Sequence, residues 1–358
     1  MSSELYDAIE YLADEKGIDR EILYEALDAA LVSAYKKNFN SRTNVRVELN
    51  QDEGMKVFAR LEVVDEVMDD QLEISLEEAK EIDPSYEVED VVEKEVTPRN
   101  FGRIAAQAAK QVVTQRVREA ERGVIYNDFA DRVEDIMTGK IQRKDQRFMY
   151  VHLGKLEGKL PFNEIMPNES YDIHDRIKVY VTRVENTSKG PQVYVSRTHP
   201  GLLKRLFEME VPEIYEGIVE IRSVAREAGD RSKISVFAED PEIDPVGACV
   251  GQRGQRVQTI VDELRGEKID IVQWSEDPVV YISNALSPSQ VIDVLVDEED
   301  NATTVIVPDH QLSLAIGKRG QNARLAAKLT GWKIDIKSES EARESGILDT
   351  EEDTFDLE

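Results

Sequence analysis

Two short strings hold the residues best suited to chemistry: Val250-Gly251-Gln252-Arg253-Gly254-Gln255-Arg256 and Ile316-Gly317-Lys318-Arg319-Gly320-Gln321-Asn322, each followed downstream by Lys-Ile-Asp-Ile, at 268–271 and 333–336. Glycine lets a backbone approach a phosphate closely and take turn dihedrals that are closed to other residues, and the amides at the following helix start favour an anion. Gln252, Arg253, Lys318 and Arg319 add donors and positive charge at the same spot, while Arg256, Asn322 and Arg324 follow on the next helix and are candidates to border a nucleotide groove. One Gly-x-x-Gly is a turn that any protein can own. Two in matched surroundings imply one folded unit used twice.

A second set lies at 140–152. Phe148, Tyr150 and His152 alternate with Met149, Val151 and Leu153, so if the latter fill a core the former face outward, beside Lys140, Arg143, Lys144 and Arg147. Exposed rings among cations are what base stacking and phosphate attraction need. The competing reading packs Phe148 and Tyr150 under a neighbouring domain, and ring burial decides between the two. The carboxylate runs Asp69-Asp70, Glu77-Glu78 and Asp297-Glu298-Glu299-Asp300 have no His or Lys placed to complete a catalytic set, so no catalytic residue is assigned. One cysteine, Cys249, and four histidines leave little material for a zinc site, and no metal or cofactor is expected.

The unit that sets Gly-x-x-Gly between two short helices and closes on a strand is the KH module, whose loop clamps about four nucleotides of single-stranded backbone. In the first copy the strands Ile218–Arg226 and Lys233–Phe237 form a hairpin through Gly229-Asp230, before a short helix ending at Val250, the loop, a helix over about 256–264 and the strand Lys268–Gln273. The second copy repeats this with 280–285 helical, strands at 291–296 and 303–307, Asp309 capping a short helix, a helix over 323–329 and the strand 333–337. The order α-β-β-α-α-β is the type II arrangement. Upstream, five strands in some 60 residues, at 137–143, 147–153, 158–161, 176–184 and 192–196, suit a small OB-fold barrel.

The first 134 residues predict an α+β domain. Leu5, Ile9 and Leu12 mark one helix; Asp19 is placed to cap a second, whose apolar face runs from Ile22 to Ala34 and whose last turn holds Lys36-Lys37. Alternation at 45–49 and 57–61 predicts a hairpin, 72–83 a short strand and helix, and 88–96 another strand; Pro98 then precedes the longest helix, about 103–127.

A net charge of −28 normally repels phosphate, but its distribution matters more than its sum. Residues 1–134 carry 17 basic and 32 acidic side chains and 340–358 carry 1 and 8, whereas 135–200 carry 11 and 8. Most of the acidity sits at the two ends, so the middle is free to form an RNA path. No apolar run approaches the ~20 residues of a membrane span and no export signal opens the chain, which predicts a cytoplasmic protein, a monomer when free.

The strings Arg197–Glu213, Ser223–Lys233 and Ala315–Asp335 give the chain a specific resemblance to the NusA family of bacterial transcription termination/antitermination proteins, spanning about residues 1–338. The resemblance implies a multidomain α+β protein: an N-terminal polymerase-binding domain with a long connecting helix (1–134), an S1-type OB-fold barrel (135–200), tandem type II KH domains (201–277 and 278–339) and a disordered acidic tail (340–358). It implies an elongation factor that binds RNA polymerase core and nascent single-stranded RNA, promotes pausing and intrinsic termination, and acts in antitermination with other elongation factors. Lys36, Lys37, Arg99, Phe101 and Arg103 are the candidate polymerase contacts. The acidic C-terminal repeats of longer members are not expected here. The competing classes are a nuclease or RNA phosphorylase using such modules as substrate arms, and an RNA-processing or ribosome-associated factor.

Overall fold

Helix α1, Arg20–Phe39, begins where the Asp19 carboxylate accepts the Glu21 amide at 2.9 Å, and ends on Asn40 in the left-handed conformation (φ 47°). Leu23, Leu27, Leu31 and Tyr35 recur every fourth residue and are buried. They meet Phe101, Ala105, Ala109 and Val113, the same spacing on the long helix α3, Phe101–Ala130. Strand β1 (Asn44–Asn50) pairs antiparallel with β2 (Gly54–Val64), which also pairs with β3 (Glu73–Ser75) and β4 (Val91–Glu95); Ser75 caps the short helix α2, Leu76–Ile82. The computed structural model describes residues 10–348 except 12, 16 and 51–53. Leu5, Ile9 and Leu12 of the expected first helix lie outside the described residues.

Phe101 corrects one expectation. It is wholly buried, edge-on to Tyr35 with ring centroids 5.6 Å apart, because the first turn of α3 closes the core over α1. A ring so placed is not a surface contact. Arg99, Arg103 and Lys37 are exposed and Lys36 is half-buried.

The chain divides into two units, residues 1–127 with 188–191 and residues 128–187 with 192–358. In the second, five strands close a barrel: β5 (Ile136–Lys144), β6 (Phe148–His152), β7 (Glu157–Pro161), β9 (Gly190–Ser196) and β8 (Arg176–Thr187), in that order around the ring. Helix α4 (Pro200–Glu210) and a single turn, α5 (Pro212–Tyr215), lead into β10 (Val219–Glu227), β11 (Arg231–Ala238), α6 (Pro245–Val250), α7 (Gln255–Glu263) and β12 (Lys268–Gln273). Helix α8 (Pro278–Ala285), β13 (Asp293–Asp297), β14 (Ala302–Val307), α9 (Leu312–Ile316), α10 (Gln321–Thr330) and β15 (Lys333–Ser338) repeat the pattern. In both copies the central strand pairs antiparallel on one side and parallel on the other, and the Lys of Lys-Ile-Asp-Ile sits opposite the first residue of the central strand: Lys268 opposite Arg231, Lys333 opposite Ala302.

Two local expectations change. Asp309 does not cap a helix; its carboxylate accepts the amide of Ser340 at 3.0 Å and the Ser340 hydroxyl at 2.5 Å. The tail is ordered through residue 348: Ser338 and Glu341 form a reciprocal capping box that starts helix α11, Glu339–Glu344, and Ala342 is fully buried. A capping box and one buried alanine outweigh the acidity there. Residues 349–358 lie outside the described residues.

Candidate nucleic-acid interface

The two loops share one backbone. Gly251 and Gly317 have φ of 72° and 77°, Arg253 and Arg319 of 52° and 56°, Gly254 and Gly320 of 78° and 72°. The first glycine of each pair is required twice over, by its dihedral and by space: an added Cβ would lie 2.7 Å from Arg256 Cγ at Gly251, and 2.8 Å from Asn322 Cβ and N at Gly317. The second glycine of each pair faces open space and is required by dihedral alone. Holding Arg253 and Arg319 left-handed costs about 1–2 kcal/mol each, strain of a kind that gathers at ligand clamps. It leaves Gln252, Arg253, Lys318 and Arg319 exposed at the start of α7 and α10, where the amides and dipole favour an anion.

Asn322 and Arg256 also shape their loops from below. They occupy equivalent positions, five residues after the first glycine, and both reach back to a carbonyl at the end of the preceding short helix. Asn322 is 4% exposed and donates from Nδ2 to Ala315 O at 3.0 Å and Leu286 O at 3.1 Å. Arg256 donates to Ala248 O at 2.6 Å and pairs with Glu213 at 2.9 Å. Each props its loop from beneath, and Asn322 also lines the groove beside the second loop. Arg324 is about half exposed, donating to Arg319 O at 3.3 Å and to Glu227 at 2.6 Å.

On the barrel, Met149, Val151 and Leu153 point inward and are buried, leaving Phe148 and Tyr150 half-buried and His152 exposed on the outer surface. Register then brings together residues the sequence keeps apart. Arg143 lies opposite Tyr150, Tyr150 opposite Lys159, and Lys159 opposite Tyr194, a row of alternating cation and ring across four strands. The Arg143 guanidinium sits 3.4 Å over the Tyr150 ring, Lys159 lies 5.5 Å from Phe148 and 5.6 Å from Tyr194, and Arg183 covers Tyr194 at 4.2 Å. Arg147 stands 6.0 Å from Phe148. Asp145 fixes this edge, accepting the Arg147 and Phe148 amides at 2.7 and 2.8 Å and the Tyr150 hydroxyl at 2.7 Å. Those bonds, the Arg147 amide foremost, pull its carboxyl down to about 2, and Asp145 in turn raises the Tyr150 phenol. Lys159, Arg183 and Tyr194 escaped the sequence reading because their strands alternate without an aromatic cluster; pairing the predicted strands in OB order is the signal that finds them. His152 lies apart from the row, lining a depression of about 450 Å³ with Lys140, His174 and Arg176.

Buried ion pairs join the modules of this unit. Arg197, 1% exposed, pairs with Glu169 of the barrel and with Glu263 of α7 at 3.1 Å, and donates to Lys178 O at 2.8 Å. Arg226 binds Glu267 at 2.8 Å and His199 O at 2.9 Å. Lys233, fully buried, bonds Asp270 at 3.0 Å and Ser287 O at 2.9 Å across the join between the repeats, where burial pulls its ammonium down against the opposing pull of Asp270. Ala225 and Val272 of the first repeat are part of the core of the second. The three downstream modules are therefore one packed body, not separate beads. The carboxylates at 297–300 are partly occupied in their own turn, where Asp297 accepts the Glu299 and Asp300 amides.

Four family profiles match: the NusA N-terminal domain over residues 4–123, the S1 RNA binding domain over 130–196, the NusA-like first KH domain over 197–274 and the NusA-like second KH domain over 278–344. The chain is 72% identical over 352 residues to the transcription termination/antitermination protein NusA of Bacillus subtilis (strain 168), covering 98% of this chain and 95% of that one. It is 43% identical over 351 residues to the protein of the same name from Thermus thermophilus, covering 94% and 90%. Among solved structures, the N-terminal domain of NusA from B. subtilis in solution matches at 67% identity with a TM-score of 0.31, covering 34% of this chain and 99% of that one.

Proposed function

This chain belongs to the NusA family of transcription termination/antitermination proteins, and from that membership we propose that it binds RNA polymerase core through its N-terminal domain and holds nascent single-stranded RNA along the barrel and both KH modules. Bound there, it promotes pausing and intrinsic termination, and acts in antitermination beside other elongation factors. We read it as a cytoplasmic binding protein without catalysis, monomeric when free; none of its described helices is long and apolar enough to cross a membrane.

The observation that carries the RNA half of this reading is the identity of the two loop backbones, left-handed arginines included, on one body with the cation and ring row. Gly251–Gly254 and Gly317–Gly320 hold phosphates through backbone amides, with Arg253, Lys318 and Arg319 supplying charge. Arg143, Tyr150, Lys159 and Tyr194, with Phe148 and Arg147 beside them, supply stacking faces and positive charge. For the N-terminal domain the candidates are Lys36, Lys37, Arg99 and Arg103, and the strong acidity of residues 1–134 suits a basic protein surface better than RNA.

The test is a paused-transcription assay with purified core polymerase. The full chain is expected to lengthen hairpin-dependent pauses, and a chain lacking residues 1–134 to lose that effect and polymerase binding while keeping RNA affinity and its salt dependence. Full activity in the truncated chain would overturn the assignment. RNA cleavage in Mg²⁺ or Mn²⁺ would move the protein to the nuclease class, and co-sedimentation with ribosomal subunits instead of polymerase would favour the ribosome-associated reading.

A further inference from the structure

Between the first repeat and the second loop lies a groove of about 550 Å³. Its cations are unequally engaged. Lys268, Lys318 and Arg319 are exposed and have no ion-pair partner among the described residues, whereas Arg324 is held by Glu227 at 2.6 Å. Glu227 ends β10 of the first repeat; Arg324 stands on α10 of the second, one turn beyond its loop. Gln321 bridges the same gap, donating to Glu227 at 2.9 Å and Asp230 at 2.8 Å.

We propose that this groove binds a phosphate of RNA passing from the first loop to the second, and that Glu227 serves in the RNA-free protein as an internal counterion of Arg324 which that phosphate replaces. The proposal rests on the RNA-binding reading above and goes beyond it by naming a site between the first repeat and the second loop and a carboxylate that competes for it. Arg324 has its other end on the loop itself, through Arg319 O, so its guanidinium stays at the phosphate-binding loop whichever anion it meets. The pair is about half exposed on the arginine side, and an ion pair in that setting is weak. A phosphodiester offers the guanidinium a two-oxygen partner and also meets Lys318 and Arg319, which Glu227 does not engage. Arg324 holds the Glu227 carboxyl below its ordinary range, so the competitor is ionised at neutral pH. The first loop carries no equivalent, since the position matching Arg324, seven residues after the first glycine, is Gln258, whose amide donates to Asp262 at 2.8 Å.

The experiment is a salt series of anisotropy titrations using the full chain and a labelled single-stranded RNA of about 12 nucleotides, long enough to span two four-nucleotide clamps. Glu227→Gln, which keeps an acceptor for Gln321, is expected to bind about 3- to 10-fold tighter at each salt concentration, with much the same slope of log affinity against log salt because the same phosphates are neutralised in both chains. Arg324→Ala is expected to erase that gain in the double variant and to cost less in the wild-type background. Glu298→Gln, which removes the same charge from an exposed turn, is expected to leave affinity unchanged. Unchanged or weaker binding by Glu227→Gln, with or without a lower melting temperature, would make the carboxylate a plain tie between modules and overturn the proposal. So would a gain that survives loss of Arg324 or that Glu298→Gln reproduces. If Gly317→Asp with Gly320→Asp leaves wild-type affinity intact, the loop reading itself falls; loop-dependent binding with no response to Glu227→Gln removes this proposal alone.

Discussion

The guanidinium of Arg143 lies 3.4 Å from the centroid of the Tyr150 ring, directly opposite it in register, while its Nη2 pairs with Glu157 at 2.8 Å. A cation thus covers one face of the ring. Tyr194 stands two strands away under Arg183 with Lys159 between. On the RNA-binding reading proposed above, these rings are the stacking faces for bases. Tyr150→Ala and Tyr194→Ala are each expected to weaken binding of single-stranded RNA by about 1–3 kcal/mol. Tyr150→Phe is expected to keep most of the affinity, because the hydroxyl serves Asp145. Anisotropy titrations paired with melting curves check this, and equal losses in Tyr150→Phe and Tyr150→Ala would argue for a structural role.

The two glycines of one loop are expected to respond differently to alanine. At Gly320 only the left-handed dihedral opposes a side chain, for about 1–2 kcal/mol. Gly317 instead sits at φ 77° and ψ 171°, a region essentially reserved for glycine, and a side chain there would also come within 2.8 Å of the backbone nitrogen and Cβ of Asn322, atoms that cannot swing aside. Gly317→Ala is therefore the more destabilising substitution in urea unfolding. Equal midpoints for the two variants would show that the loop relaxes freely.

How far the sequence was legible follows from the same residues. The repeat, its loops, the barrel strands and the Asp19 cap depend on local spacing and were read directly. The inward and outward faces of β6 came from alternation alone. What local patterns do not carry is which side of a helix a polar residue takes after tertiary packing. Asn322 and Arg256 follow their loops in sequence yet turn underneath them, and Phe101 opens a helix yet closes a core. The row through Lys159 and Tyr194 needs strand pairing, which no single strand reveals. The buried Arg197 and Lys233 looked like ordinary members of a charged sequence, because their acidic partners lie 28 and 37 positions away.

Asp145 gives a pH dependence with a definite sign. Its folded carboxyl titrates near 2, below the ordinary carboxylate value of 3.8, because its amide and phenol donors favour the charged form. Such a group adds stability to its turn above its unfolded value and loses it as pH falls through the folded one. The turn at 145–148 is expected to be intact at pH 5 and to loosen between about pH 4 and pH 2. The carboxyl carbon shift of Asp145 and the amide shifts of Arg147 and Phe148, followed by NMR, should titrate together. A midpoint near 4 would mean that the three bonds do not persist in solution.

Arg197 tests whether the modules act as one body. Its guanidinium satisfies Glu169, whose side chain is fully buried, and also ties Glu263 and two carbonyls. Removing it strands a buried carboxylate, so Arg197→Met is expected to lower unfolding stability by about 3–5 kcal/mol. Arg197→Met with Glu169→Leu removes both charges and is expected to recover much of that loss. The double variant separates stability from alignment. If the ionic seam sets the angle between barrel and first KH module, a long RNA reaching both loses affinity through a lower effective concentration. A four-nucleotide RNA, held by one loop, binds as before. Equal affinity for both RNAs in the double variant and the wild type would mean that apolar packing around Met166, Tyr180 and Leu202 sets the angle without the seam.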